Sequence, residues 1–308
     1  TLLQPHAIPA FLRSLALPSS SPQAAPALVS LLAATSLGHG QTWLPHCLKH
    51  ALDPHPRLSP ATAVPPEPVA NPLLDAELHP RRFVVAQLKE ALVKSASLIG
   101  VPRVICGLFD LEAALEDKRD LSRAFVRNGL DDGMVAERRE AGRQGLRTVY
   151  RDELDGIFDL MHERGLDDLR ASPFLLCRTA PSRSQLTLSS PQGTCPNDDL
   201  RHLPHTARLA LASSWRTTTP LALLPLSDSL AHDPRLLSLV TLSCLIPQRS
   251  QRELHWHLRG AIRRGWTRDE VEQVQGVIER VCEACGVDGV GEGMPRVRDV
   301  EVQDEERR

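Results

Sequence analysis

Residues 236–286 open with Leu236-Leu-Ser-Leu-Val240-Thr-Leu-Ser-Cys244-Leu-Ile246-Pro247-Gln-Arg-Ser250-Gln-Arg-Glu253-Leu-His255-Trp256-His257-Leu-Arg-Gly-Ala261-Ile-Arg-Arg-Gly265-Trp-Thr267-Arg-Asp-Glu270-Val271 and run on to Cys282-Glu-Ala-Cys285-Gly286. Three helices are punctuated in this stretch alone. An apolar helix over 236–246 meets Pro247, which cannot continue it because proline lacks the backbone N–H and clashes with the preceding turn. Ser250-x-x-Glu253 has the form of a capping box, a serine hydroxyl for the third amide and a glutamate returning to the first, and opens a second helix that Gly265 closes. Thr267-x-x-Glu270 repeats the device and opens a third helix, closed by Gly286.

The same punctuation extends upstream. Val84, Leu88, Ala91, Leu92 and Ser95 recur at steps of three and four over 83–98, and the stripe stops at Gly100-Val-Pro102, where glycine ends one helix and proline begins the next. Val104, Leu108, Leu111 and Leu115 continue that second helix, so the pair forms an antiparallel hairpin. Leu154, Ile157, Phe158 and Met161 mark an amphipathic helix stopping at Gly165, followed by a short helix from the Asp167-Asp168 cap through Leu176. Alternating Val/Ile/Thr runs are hard to find and aromatic residues are 4% of the chain, which removes the usual strand signal. The sequence predicts an all-α fold.

Between Pro54 and Pro72 lie seven prolines, read as an extended linker. A polar, Pro- and Gly-punctuated stretch near 178–205 reads as a surface insertion. The expected organisation is an acid-poor, Pro-rich, partly helical and less ordered N-terminal extension over 1–72, a helical domain over 73–290 and a charged tail over 291–308.

Lys and Arg number 36 against 38 Asp and Glu, for a net charge of −2, with 42% hydrophobic residues. That is the balance of a folded globular chain, with no cationic excess to recommend nucleic acid or an anionic membrane surface as partner. The longest apolar runs, such as 221–226, are cut by proline and fall short of the ~20 residues that cross a bilayer, so no membrane association is expected. Seven cysteines, an odd number with a single CxxC spacing, suit a reducing, intracellular compartment. The first 52 residues lack Asp and Glu, as transit peptides do, which leaves mitochondrial and cytoplasmic locations both open.

At ~100° per residue, the buried stripe of the middle helix is Leu254, Leu258, Ala261 and Ile262. Glu253 and His257 then share one edge of that stripe as an i, i+4 pair, close enough for the carboxylate to orient the imidazole and favour its charged form, a plausible acid/base unit. On the other reading Glu253 only completes the cap and His257 is a boundary residue. His255 falls on the opposite edge and Trp256 faces away. His255-x-His257 is not a metal pair on a helix, where i and i+2 diverge, and no metal or other cofactor is expected. Cys282-Glu-Ala-Cys285 sits at a helix C-terminus, whose dipole opposes thiolate formation. Cys244 reads as a small buried hydrophobe that is nonetheless the cysteine best placed to approach His257.

The run His257-x3-Ala261-x3-Gly265-x-Thr267-x2-Glu270-Val271 resembles the core motif of the carboxymuconolactone decarboxylase and alkyl hydroperoxidase D-like (AhpD-like) superfamily. Glu253 resembles the glutamate that decarboxylase-type members place four residues before that histidine. Leu88-Lys-Glu90-Ala-Leu with Gly100-Val-Pro102 is similar to the family's helical hairpin, here preceding the histidine segment rather than following it, as in a permuted or degenerate duplicated arrangement. The wording is most like a fungal, mitochondrial-type branch.

This resemblance implies an AhpD-like helical bundle, a homo-oligomer, and a site near His257 that takes a small-molecule substrate. Peroxidase members carry Cys-x-x-Cys-x3-His. Ser250 and Glu253 occupy those cysteine positions, and Ser238 and Arg252 fall where the relay glutamate and second histidine would be, so neither a thiolate nor that relay can form. The decarboxylase-like reading keeps His257 as proton donor or acceptor and Glu253 as its orienting partner, acting on a small organic acid or lactone. Arg249, Arg252 and Arg259 are candidates for holding a carboxylate. The alternatives are a non-catalytic oligomeric scaffold or binding protein that kept the fold, and a thiol peroxidase using Cys244 or the terminal CxxC.

Overall fold

The structure of the protein, a computed structural model, describes residues 2–55, 80–121, 140, 144–164 and 234–300. The helices are α1 (Ile8–Ser14), α2 (Ala25–Ser36), α3 (Gly40–Leu52), α4 (Pro80–Ile99), α5 (Val101–Ala114), α6 (Glu153–Glu163), α7 (Pro234–Leu245), α8 (Gln251–Arg263) and α9 (Arg268–Ala284), with a helical stretch at 144–150 before α6. Among the described residues there is no strand. The fold is all-α. The linker over 56–72, the short helix through Leu176 and the insertion near 178–205 lie outside the described residues.

The centre of the bundle is α2. Eleven of its twelve residues are buried, including Leu28, Leu31, Leu32, Ala33 and Ala34, and it packs against α3, α4, α7 and α9. A helix with no polar face is a buried one, and the contacts of α2 place it in the middle of this bundle. The expectation of a less ordered extension before residue 72 is therefore corrected for α1 to α3. Lack of charge marks their burial, and Trp43, Leu44, Leu88, Leu92, Leu254 and Ile278 belong to one hydrophobic cluster with them.

The α4–α5 hairpin forms around Gly100, whose φ of +90° is a conformation that side chains resist, with proline in the first turn of α5. α4 packs on α7 and α7 on α8, bringing the hairpin and the histidine segment into the same core. The expected charged tail is corrected over 294–300, while 301–308 lie outside the described residues. Met294, Val297 and Val300 are buried, and the fully buried Gln275 of α9 fastens this segment, donating to the Pro295 carbonyl at 3.0 Å and accepting from the Val297 amide at 3.2 Å. No helix among the described residues is long and apolar enough to cross a membrane.

Candidate functional site

Helix α8 positions the motif histidine, and of the two capping boxes expected at the starts of α8 and α9 one forms. The Thr267–Glu270 capping box that begins α9 is formed, with the Glu270 carboxylate accepting from the Thr267 amide at 2.8 Å and the Thr267 hydroxyl from the Glu270 amide at 3.2 Å. The box expected at Ser250–Glu253 is not, because the Ser250 side chain makes no capping bond. Here the chain turns through Arg249, held at a φ of +54° while its guanidinium donates to the Glu292 carbonyl at 2.8 Å and the Gly289 carbonyl at 3.4 Å. Glu253 is thereby left exposed on the first turn, and no hydrogen bond or ion pair joins it to His257.

His257 meets Tyr150 instead. The Tyr150 hydroxyl and His257 Nε2 are 3.3 Å apart, and the two rings pack edge to face at 5.9 Å. Trp256 closes the other side of the phenol, edge to face at 5.3 Å, and Arg252 lies over the indole at 4.9 Å. Tyr150 reaches this place because 144–150 docks on α8 where Gly260 has no side chain. A Cβ on Gly260 would come within 2.9 Å of Val149 Cγ1 and 3.0 Å of its Cγ2. Arg263 donates to the Val149 carbonyl and Arg259 pairs with Glu153 at 2.8 Å, fastening the docked segment on both sides.

The third member is Arg264, seven residues after His257 and so about 20° from it around the helix. Its guanidinium is partly buried, and among the described residues its one partner is the Ser238 hydroxyl of α7, 3.5 Å away. Among the described residues no carboxylate faces it, in contrast to Arg235, Arg259 and Arg296, which pair with Glu270, Glu153 and Glu279.

This setting fixes the protonation states. Burial, aided by the Arg264 charge, pushes His257 down to about 3, so the imidazole is neutral at physiological pH. Burial and the nearby Glu253 carboxylate push Tyr150 up to about 12, partly opposed by Arg264. Burial brings Arg264 down to about 10, which leaves it a cation. His257 Nδ1 is buried without a partner. We assign the Nε2–H tautomer, which leaves an acceptor rather than a donor unpaired at Nδ1 and lets the imidazole donate to the phenol oxygen.

The other nominated residues are distributed elsewhere. Arg252 is exposed against Trp256, while Arg249 and Arg259 are already engaged by carbonyls and by Glu153. His255 is half-buried, and no group of three or more metal-ligating side chains occurs among the described residues. Cys244 does not pair with His257. It is fully buried and faces Ser36 of α2, with burial raising its thiol to about 12. Cys282 and Cys285 are buried and likewise raised to about 12.

Tyr150 and Arg264 were not visible as site residues in the sequence. The i+7 spacing from His257 was the available signal for Arg264, whereas Tyr150, the chain's single tyrosine, lies 107 residues away with no pattern linking it to α8. Comparison with known proteins yields no match to a family model, a curated protein or a solved structure.

Proposed function

We propose that the protein is an acid/base enzyme of the carboxymuconolactone decarboxylase-like, AhpD-like type, acting on a small organic acid or lactone, with Tyr150 as the proton donor and His257 as the residue that positions it. The observation that carries this reading is the Tyr150 hydroxyl held 3.3 Å from a half-buried, neutral imidazole beside a cation. A phenol held near 12 is fully protonated at neutral pH and can protonate a more basic carbanion or enolate, such as one left by loss of carbon dioxide. As the O–H proton moves to carbon, the tyrosinate left behind is stabilised by the His257 Nε2–H and by Arg264, and solvent returns the proton. In this reading Tyr150, rather than Glu253, is the partner of the His257 Nε2. Support for the family also comes from the motif itself, which sets His257, Ala261, Gly265 and the Thr267 cap on consecutive turns.

The non-catalytic alternative is favoured by a separate observation, the burial of His257 Nδ1 without a partner. The thiol peroxidase is opposed by three buried thiols whose ionisation burial suppresses. The test is solvent-deuterium incorporation into a panel of small carboxylic acids and lactones. Wild type is expected to decarboxylate a member of the panel with uptake of deuterium at the carbon that loses carbon dioxide, with Tyr150→Phe slower by at least about a hundredfold. Equal rates in wild type and Tyr150→Phe, or no decarboxylation with deuterium uptake for any compound, would overturn the enzymatic reading; the second outcome would leave the scaffold.

A further inference from the structure

We propose that Arg264, with the Ser238 hydroxyl beside it, is an anion subsite that takes one carboxylate of a small organic ligand next to Tyr150. This assignment rests on the site identified above, but on its charge rather than on its proton chemistry. A partly buried guanidinium has five N–H donors in a fixed fork and is costly to hold without a counter-charge. Of the neighbouring arginines, Arg235 pairs with Glu270 at 3.2 Å and Arg259 with Glu153 at 2.8 Å, while Arg252 lies over the Trp256 ring. Arg263 is spent on the Val149 carbonyl and Arg249 on two loop carbonyls. Among the described residues Arg264 has one long contact, to a neutral hydroxyl, which leaves most of its fork open to a ligand.

The surroundings select the kind of anion. A planar carboxylate matches the fork in a bidentate fashion, and the Arg264 guanidinium balances its one negative charge. Glu253, close enough to act on Tyr150, repels a second anionic group on that side. The Tyr150 ring, packed edge to face on Trp256 and on His257, offers an apolar surface. The ligand is therefore a monocarboxylate with an apolar or aromatic body. Occupation also feeds back on the proton donor's partner: a carboxylate on Arg264 cancels the positive charge that helps to hold His257 neutral, so ligand binding raises the basicity of the imidazole.

The test is isothermal titration of acetate and benzoate into the full chain, with methyl benzoate as the uncharged control. Benzoate is expected to bind at one site and methyl benzoate not to bind. Arg264→Gln should weaken benzoate by at least about tenfold, the loss of a charge-assisted pair. Ser238→Asp, which supplies the missing counter-ion from within and leaves Arg264 in place, should weaken it similarly, and circular dichroism checks that both variants are folded. No benzoate binding by the wild type, or binding unchanged in both variants, would overturn the subsite. Tyr150→Phe separates the two claims. It should retain benzoate within a few-fold while losing deuterium incorporation, so failure of the acid/base reading leaves carboxylate binding intact and failure of the subsite shows in the titration alone.

Discussion

Acidification from about pH 7 to about pH 5 should destabilise the wild type more than a His257→Gln variant, because the fold holds His257 neutral. The ordinary histidine value is 6.5 and the folded one is about 3. The unfolded chain thus takes up a proton below 6.5 that the folded chain refuses. The stability conferred by the neutral imidazole is complete above 6.5 and is lost as pH falls from there towards 3. With a folded value anywhere below about 4, the difference accumulated between about pH 7 and about pH 5 is about 2 kcal/mol, since each unit below the unfolded value costs about 1.4 kcal/mol. The residual exposure of the ring trims this to between about 1 and about 2 kcal/mol. Carboxylates held low, such as Glu270 near 2, lose their contribution at lower pH and do so in both proteins, so they cancel. Urea unfolding of the two proteins at the two pH values reads the difference directly. If both lose the same stability, His257 is not held neutral by burial and the protonation scheme of the site is wrong.

Gly260→Ala and Gly276→Ala each gain about 1 kcal/mol of helix propensity, but only Gly276 has open space where the new methyl would go. Gly276→Ala should therefore stabilise, whereas Gly260→Ala should lose that gain to about 1–3 kcal/mol of overpacking against the stiff Val149 and undock Tyr150 from His257, as thermal denaturation and tyrosine fluorescence will report. Alkylation under native conditions, mapped by mass spectrometry, should label the exposed Cys106 promptly and reach Cys47, Cys244, Cys282 and Cys285 only on unfolding. Thr267→Ala should cost about 1 kcal/mol by removing the hydroxyl that accepts from the Glu270 amide, measured by urea unfolding.

Much of the helical content could be read from punctuation. Gly100-Val-Pro102 gave the α4–α5 joint and Thr267-x-x-Glu270 the start of α9, since these signals act within one turn and depend on no distant residue. Ser250-x-x-Glu253 has the same spelling without the bond, because Arg249 turns the chain and engages the 289–292 loop, a partner 40 residues away. The greatest misreading concerned α2. A periodic stripe announces a helix at a surface, but Ala25–Ser36 is buried on every side and has no stripe to show. The site was legible only along α8. Spacing placed His257 on a helix edge, yet whether Glu253 or Tyr150 faces it is decided by the docking of 144–150 on Gly260, a contact between segments far apart in the chain.

The central claim is that a neutral His257 donates its Nε2–H to the Tyr150 oxygen. Nitrogen-15 NMR of the labelled imidazole, in wild type and in Tyr150→Phe, tests it most directly. The account predicts a neutral ring protonated on Nε2 from neutral pH down to about pH 4, with an Nε2 shift that moves when the phenol hydroxyl is removed. An imidazolium near neutral pH, or a ring whose Nε2 signal is indifferent to Tyr150→Phe, would contradict it.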